Sequence, residues 1–162
     1  MDTKASHEKD VLTEFVSASG SSIEIASIET RTPPEPDLYC VDANGSLYFE
    51  LSRLLDPEMQ RMRLQAMRRA PEQVATSNYN IKLPEREILQ RKIEKQYQTK
   101  SLPLELLLYY DNTNCLVGDV PIFADFAYHA EHVMLPLCTS QKKFRRVWVY
   151  ERHHKTVLWC YE

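Results

Sequence analysis

The chain has 162 residues, 43% of them hydrophobic and 27% charged, a balance that fits one globular domain over residues 1–162 and excludes a largely disordered polypeptide. Its net charge of −3 conceals an asymmetry: residues 1–58 carry four Lys/Arg against twelve Asp/Glu, residues 59–100 ten against four, and residues 101–162 six against seven. Three glycines are too few for a Gly-rich phosphate loop, which sets aside P-loop and dinucleotide chemistry.

The first predicted element is a helix from Ser6 to about Ser19, with Val11, Leu12, Phe15 and Val16 on one side and Gly20 placed to close it. Ser22 to Glu29, carrying Ile23 and Ile25, predicts a strand. Three prolines in Thr32–Pro36 make a rigid connector, because proline neither continues a helix nor donates to a ladder. A second strand starts at Asp37 and runs to Asp42, Asn44-Gly45 signals a hairpin turn, and Leu47–Ser52 returns.

Asp56-Pro57-Glu58 combines a cap, a proline at the first position and an acid at the positive end of the dipole, predicting a helix to about Ala70. A further helix is predicted from Glu85 to Gln98, where Leu89, Ile93 and Tyr97 recur every four residues. The short apolar run Leu104–Tyr110 predicts a strand buried on both faces. Pro121 to about Val133 reads as a helix, and Phe144–Glu151 with Thr156–Tyr161 as a hairpin turning at Arg152–Lys155. The fold class is therefore α/β, a short sheet flanked by helices.

Side chains alternate along a strand, so Glu50 and Ser52 share one face, and Asp37 begins the strand paired with theirs. Two carboxylates presented by one hairpin suit a hard divalent cation such as Mg²⁺ or Mn²⁺, which prefers oxygen ligands. A metal so held activates water and neutralises charge on a phosphate.

Glu35-Pro36-Asp37, a Gly-containing turn and then Tyr48-Phe49-Glu50-Leu51-Ser52-Arg53 resemble the signature of the PD-(D/E)xK, or restriction-endonuclease-like, nuclease superfamily. The element order from Ser6 to Tyr110, about two-thirds of the chain, also resembles that superfamily's αβββαβ core of mixed sheet and flanking helices, here with a C-terminal helix and β-hairpin extension. The resemblance implies a metal-dependent nuclease acting on DNA or RNA, with Asp37 and Glu50 as metal ligands. This chain departs from the pattern at Ser52, which stands where the signature has lysine and supplies no positive charge. Superfamily members relocate that lysine to the neighbouring helix, which points to Lys92 or Lys95 in the catalytic set. Some members add an acid from the first helix, a role expected of Glu14 ahead of Glu8. The alternative is a nuclease fold without activity that binds nucleic acid or a protein partner, and pairing into a homodimer is compatible with either.

Arg61, Arg68, Arg69 and Arg91 are candidate nucleic-acid contacts, since basic side chains neutralise phosphates along a strand. Asp125, His129 and His132 fall at i, i+4 and i+7 and form a rival Zn²⁺ or Fe²⁺ set that matches no specific motif. Cys40, Cys115, Cys138 and Cys160 are scattered singly and are expected as free thiols. No apolar run approaches the roughly 18 residues of a membrane span, and the N-terminus lacks a signal-peptide layout, so the expected location is cytoplasmic with no membrane contact.

Overall fold

The computed structural model describes residues 3–54, 84–111, 116–117, 120–121 and 126–162. The helix expected from Asp56 to Ala70, and with it Arg61, Arg68 and Arg69, lies outside the described residues.

Helix α1 spans Thr3–Ser19 and buries Val11, Leu12, Phe15 and Val16 along one stripe, with Glu8 buried on the same helix. Gly20 follows at φ +67°, a left-handed conformation that a residue without Cβ adopts at little cost. The strand expected over Ser22–Glu29 shrinks to β1, Glu29–Thr30, after a single 3₁₀ turn at Ile25–Ser27. The alternation fails because Ile25 is 46% exposed while Ile23 and Ile28 are both buried. Separate bonds hold the segment instead of a ladder: Glu24 N donates to Val41 O at 2.9 Å, and Val41 N to Ser27 Oγ at 2.9 Å.

Strands β2, Leu38–Asp42, and β3, Gly45–Arg53, form the expected hairpin, in antiparallel register from Leu38 opposite Phe49 to Asp42 opposite Gly45. The turn residues are Ala43 and Asn44, tightened by Asn44 N donating to Asp42 Oδ1 at 2.8 Å, and Gly45 enters β3 at φ +125°. Helix α2, Pro84–Glu94, stops short of the expected Gln98. The chain beyond it is diverted, because Gln98 N bonds to Pro34 O at 2.9 Å and the Tyr97 ring packs edge-on against Phe144 at 6.0 Å.

Strand β4, Leu104–Tyr110, coincides with the predicted apolar run and is buried throughout. Short strands β5, Leu116–Val117, and β6, Val120–Pro121, pair with each other. The helix expected from Pro121 begins at Phe126 as α3, Phe126–Val133, and is followed by α4, Leu135–Thr139. Strands β7, Arg146–Glu151, and β8, Thr156–Tyr161, complete the chain as the predicted hairpin.

The six-stranded sheet has the order β1-β2-β3-β4-β7-β8 and is mixed: β3, β4 and β7 run parallel, and the outer pairs are antiparallel. One face packs Leu38, Phe49, Leu51 and Leu107 on α1, and the other packs Leu104, Leu106, Val147 and Val149 against Leu89 of α2, Met134 between α3 and α4, and Cys138 of α4. Sandwiching between helical layers explains why β4 lacks polar alternation. Among the described residues no helix is long and apolar enough to cross a membrane.

Candidate active site where the second and third strands part

Because β2 begins at Leu38, opposite Phe49, the last residues of β3 run past it while β4 still flanks their other edge. Side chains take over from the backbone ladder at this point. Leu51 N donates to Asp37 Oδ2 at 2.9 Å, and Asp37 N donates to Glu50 Oε2 at 3.1 Å. Each acid thus satisfies a backbone donor of the neighbouring segment, which fixes the two carboxylates beside one another.

The second oxygen of Glu50 faces α2. Lys92 Nζ donates to Glu50 Oε1 at 2.7 Å and Lys95 Nζ to the same atom at 3.2 Å. Glu50 is 1% exposed and the Lys92 side chain 14%, whereas the Lys95 side chain is 46% exposed. A buried carboxylate is costly to charge alone, and two ammonium groups on one oxygen offset that cost.

The surrounding ionisations follow from this crowding. Burial works against the charge of Glu50, but Lys92 and then Lys95 outweigh it and hold the carboxyl below its usual range. Asp37 is raised, first by burial and then by the negative charge of Glu50. Burial, with Asp37 next, pushes Glu8 up to about 7, and Lys4, 3.5 Å from it, opposes the shift. Burial, followed by the charge of nearby Glu50, pushes the pKa of the Tyr97 hydroxyl up. Glu8, Asp37 and Glu50 therefore share one electrostatic neighbourhood with Lys4, Lys92 and Lys95.

Beside this cluster opens a cleft of about 630 Å³, lined by Lys4, His7 and Glu8 of α1, Ser52 and Arg53 of β3, and Arg91 and Lys92 of α2. Arg53 also reaches the cleft and lies 3.4 Å from Asp111 at the end of β4. Ser52 borders it too, and Lys92 of α2 lines the same cleft.

The first-helix acid differs from expectation. Glu14 points towards the β7–β8 turn, where it takes hydrogen bonds from Arg152 Nε at 3.1 Å and Tyr150 Oη at 3.2 Å. Glu8 is the α1 acid at the cleft, and its position was encoded: it precedes Val11 and Leu12 by three and four residues, so it falls on the buried stripe. Of the rival histidine set, Asp125 and the His129 side chain lie outside the described residues, and His132 is exposed on α3. Among the described residues no three Asp, Glu, His or Cys side chains form a ready-made metal cage. Cys40, Cys138 and Cys160 are free thiols. Comparison with protein families, with curated proteins and with solved structures finds no match to this chain.

Proposed function

We propose that this chain is a Mg²⁺- or Mn²⁺-dependent nuclease of the PD-(D/E)xK type, hydrolysing phosphodiester bonds of DNA or RNA. One observation carries the proposal: Glu50 bonds through one oxygen to the backbone of Asp37 and through the other to Lys92, so the hairpin acids and a helix lysine meet at one point. Lys92 thereby brings to the site the positive charge that Ser52 lacks. Among the described residues the order α1, β1, β2, β3, α2, β4 supports the same assignment, with Asp37 just before the second strand and Glu50 on the third.

The donor set fits a hard cation. Mg²⁺ binds through one or two carboxylates and keeps several waters, so it needs no cage of three protein ligands. Asp37 and Glu50 would hold it, with Glu8 as the accessory acid in place of Glu14. Burial first, and the neighbouring negative charge second, raise the pKa values of Glu8 and Asp37, and a divalent cation would relieve the second of these. When bound, such an ion supplies water activation and charge neutralisation at a phosphate. The chain's own residues do the remainder: Lys92 and Lys95 place positive charge beside Glu50, while Arg53, Arg91 and Lys4 make the cleft attractive to a phosphate backbone.

Incubation of the purified chain with single- and double-stranded DNA and RNA, with Mg²⁺, Mn²⁺ or EDTA, tests the proposal. Metal-dependent cleavage that disappears in Asp37→Ala is the expected result; absence of cleavage under every condition sinks it.

A second reading is favoured by the engagement of both lysines with a single carboxylate oxygen. In that case the fold has lost catalysis and binds nucleic acid or a protein partner through the basic cleft. Salt-sensitive oligonucleotide binding without any stabilisation by Mn²⁺ or Ca²⁺ distinguishes it.

A further inference from the structure

Lys143 lies in the segment between α4 and β7, some fifty positions along the chain from Lys92 of α2 and from Lys95 just beyond it. Its Nζ nevertheless donates to the backbone carbonyls of both Ile93 and Lys95, at the C-terminal end of that helix. The last carbonyls of a helix have no partner within it and carry the negative end of its dipole, so an ammonium group there is stabilising. This offsets the repulsion between three lysines placed close together.

Tyr97 completes the arrangement. Its ring has Lys95 Nζ at 5.1 Å and Lys143 Nζ at 5.6 Å from its centroid, and its edge meets Phe144, the buried neighbour of Lys143. Phe144 is in turn anchored by its N–H donating to Gln141 Oε1 at 2.8 Å. The end of α2 is thus fastened at the backbone by Lys143 and at the Lys95 side chain by Tyr97. Lys92 is one turn back from that end, and it also spans the gap to Glu50.

We propose that Lys143 is a positioning residue for the Glu50 site: by clamping the carbonyls of Ile93 and Lys95 it fixes the final turn of α2 so that Lys92 and Lys95 meet Glu50. The proposal rests on the functional assignment of Lys92 and Lys95 above, but the clamp itself has a readout that needs no catalysis. An ammonium held in an ion pair exchanges its protons slowly and gives a resolved NMR signal, whereas a mobile one does not.

The test compares the full-length wild type with Lys143→Met, which keeps the aliphatic stem, and Lys143→Arg, which keeps the donors. Lys92→Gln identifies the Lys92 signal in metal-free protein. The expected result is a protected Lys92 ammonium in wild type and in Lys143→Arg that is lost in Lys143→Met, with amide protection of β4 unchanged in all three. In cleavage assays Lys143→Met is expected to lower kcat about tenfold with KM within about twofold, and Lys143→Arg to restore it. Retention of the Lys92 signal in Lys143→Met overturns the clamp. So does its absence from wild type, or a loss of β4 protection in parallel with it, which would make Lys143 a general structural residue. If wild type cleaves nothing, the nuclease assignment falls and the NMR comparison still decides the clamp.

Discussion

Lys92 Nζ lies 2.7 Å from Glu50 Oε1, joining α2 to the centre of β3 at a point where the carboxylate is 1% exposed. Lys95 reaches the same oxygen from a position that is nearly half exposed. The two lysines therefore contribute unequally. Lys92→Gln is expected to destabilise the fold by about 1–3 kcal/mol, because a buried carboxylate loses its close hydrogen-bond partner while Lys95 remains on the same oxygen. Lys95→Gln should cost under about 1 kcal/mol, since solvent screens an exposed pair. Urea titrations of the two variants at pH 7 check the ranking, and equal costs would contradict it.

Glu8 gives stability a pH dependence of defined sign. Its folded-state pKa of about 7 lies above the ordinary 4.5, so the folded protein binds the proton more tightly than the unfolded chain. That contribution is fully present below about 4.5 and is lost as pH rises through about 7. Glu8→Gln should remove the loss, making the variant more stable than wild type at pH 8, by up to about 3 kcal/mol, and close to it at pH 4.5. Denaturant unfolding at several pH values measures this; identical slopes against pH in both proteins would show that Glu8 is not the titrating group.

The proposed cation site predicts stabilisation by a metal alone. At Mn²⁺ about a hundredfold above its Kd, thermal unfolding of wild type should rise by about 5 °C, and Asp37→Ala should abolish the shift. Glu14→Gln serves as the control. Its carboxylate pairs with Arg152 away from the cleft, so that variant should keep the Mn²⁺ shift even though it loses some stability. An equal metal response in wild type and Asp37→Ala would place the ion elsewhere.

Gly45 predicts a backbone effect without any contact. It sits at φ +125° with open space where a Cβ would project. Gly45→Ala is expected to cost about 1–3 kcal/mol through conformational strain alone, because L side chains rarely adopt that angle. A chemical denaturation curve for the variant is sufficient, and a neutral result would mean that the turn relaxes.

What the sequence itself determined was local. The apolar stripe of α1, the hairpin of β2 and β3, the uninterrupted run of β4 and the C-terminal hairpin were all legible, since each depends on periodicity or turn chemistry within a few residues, although the first hairpin turns at Ala43-Asn44, one residue before the expected Asn44-Gly45. The candidate carboxylates Asp37 and Glu50 belonged to that local pattern, and so did the absence of lysine at position 52. Ser22–Glu29 shows where local pattern gives out: its short alternation was outcompeted by hydrogen bonds to Val41, a partner that periodicity does not reveal.

Tertiary structure alone decided which long-range partners meet. Lys92 joins Glu50 across a separation of 42 residues, and Lys143 caps α2 from still farther along the chain. The stripe that carries Glu8 was readable from its spacing to Val11 and Leu12, but only the packing of α1 on the sheet brought that stripe near Asp37 and left Glu14 to Arg152. The reason is physical: side-chain pattern specifies the face that a helix or strand buries, whereas the pairing of charges across elements is set only once those faces have packed.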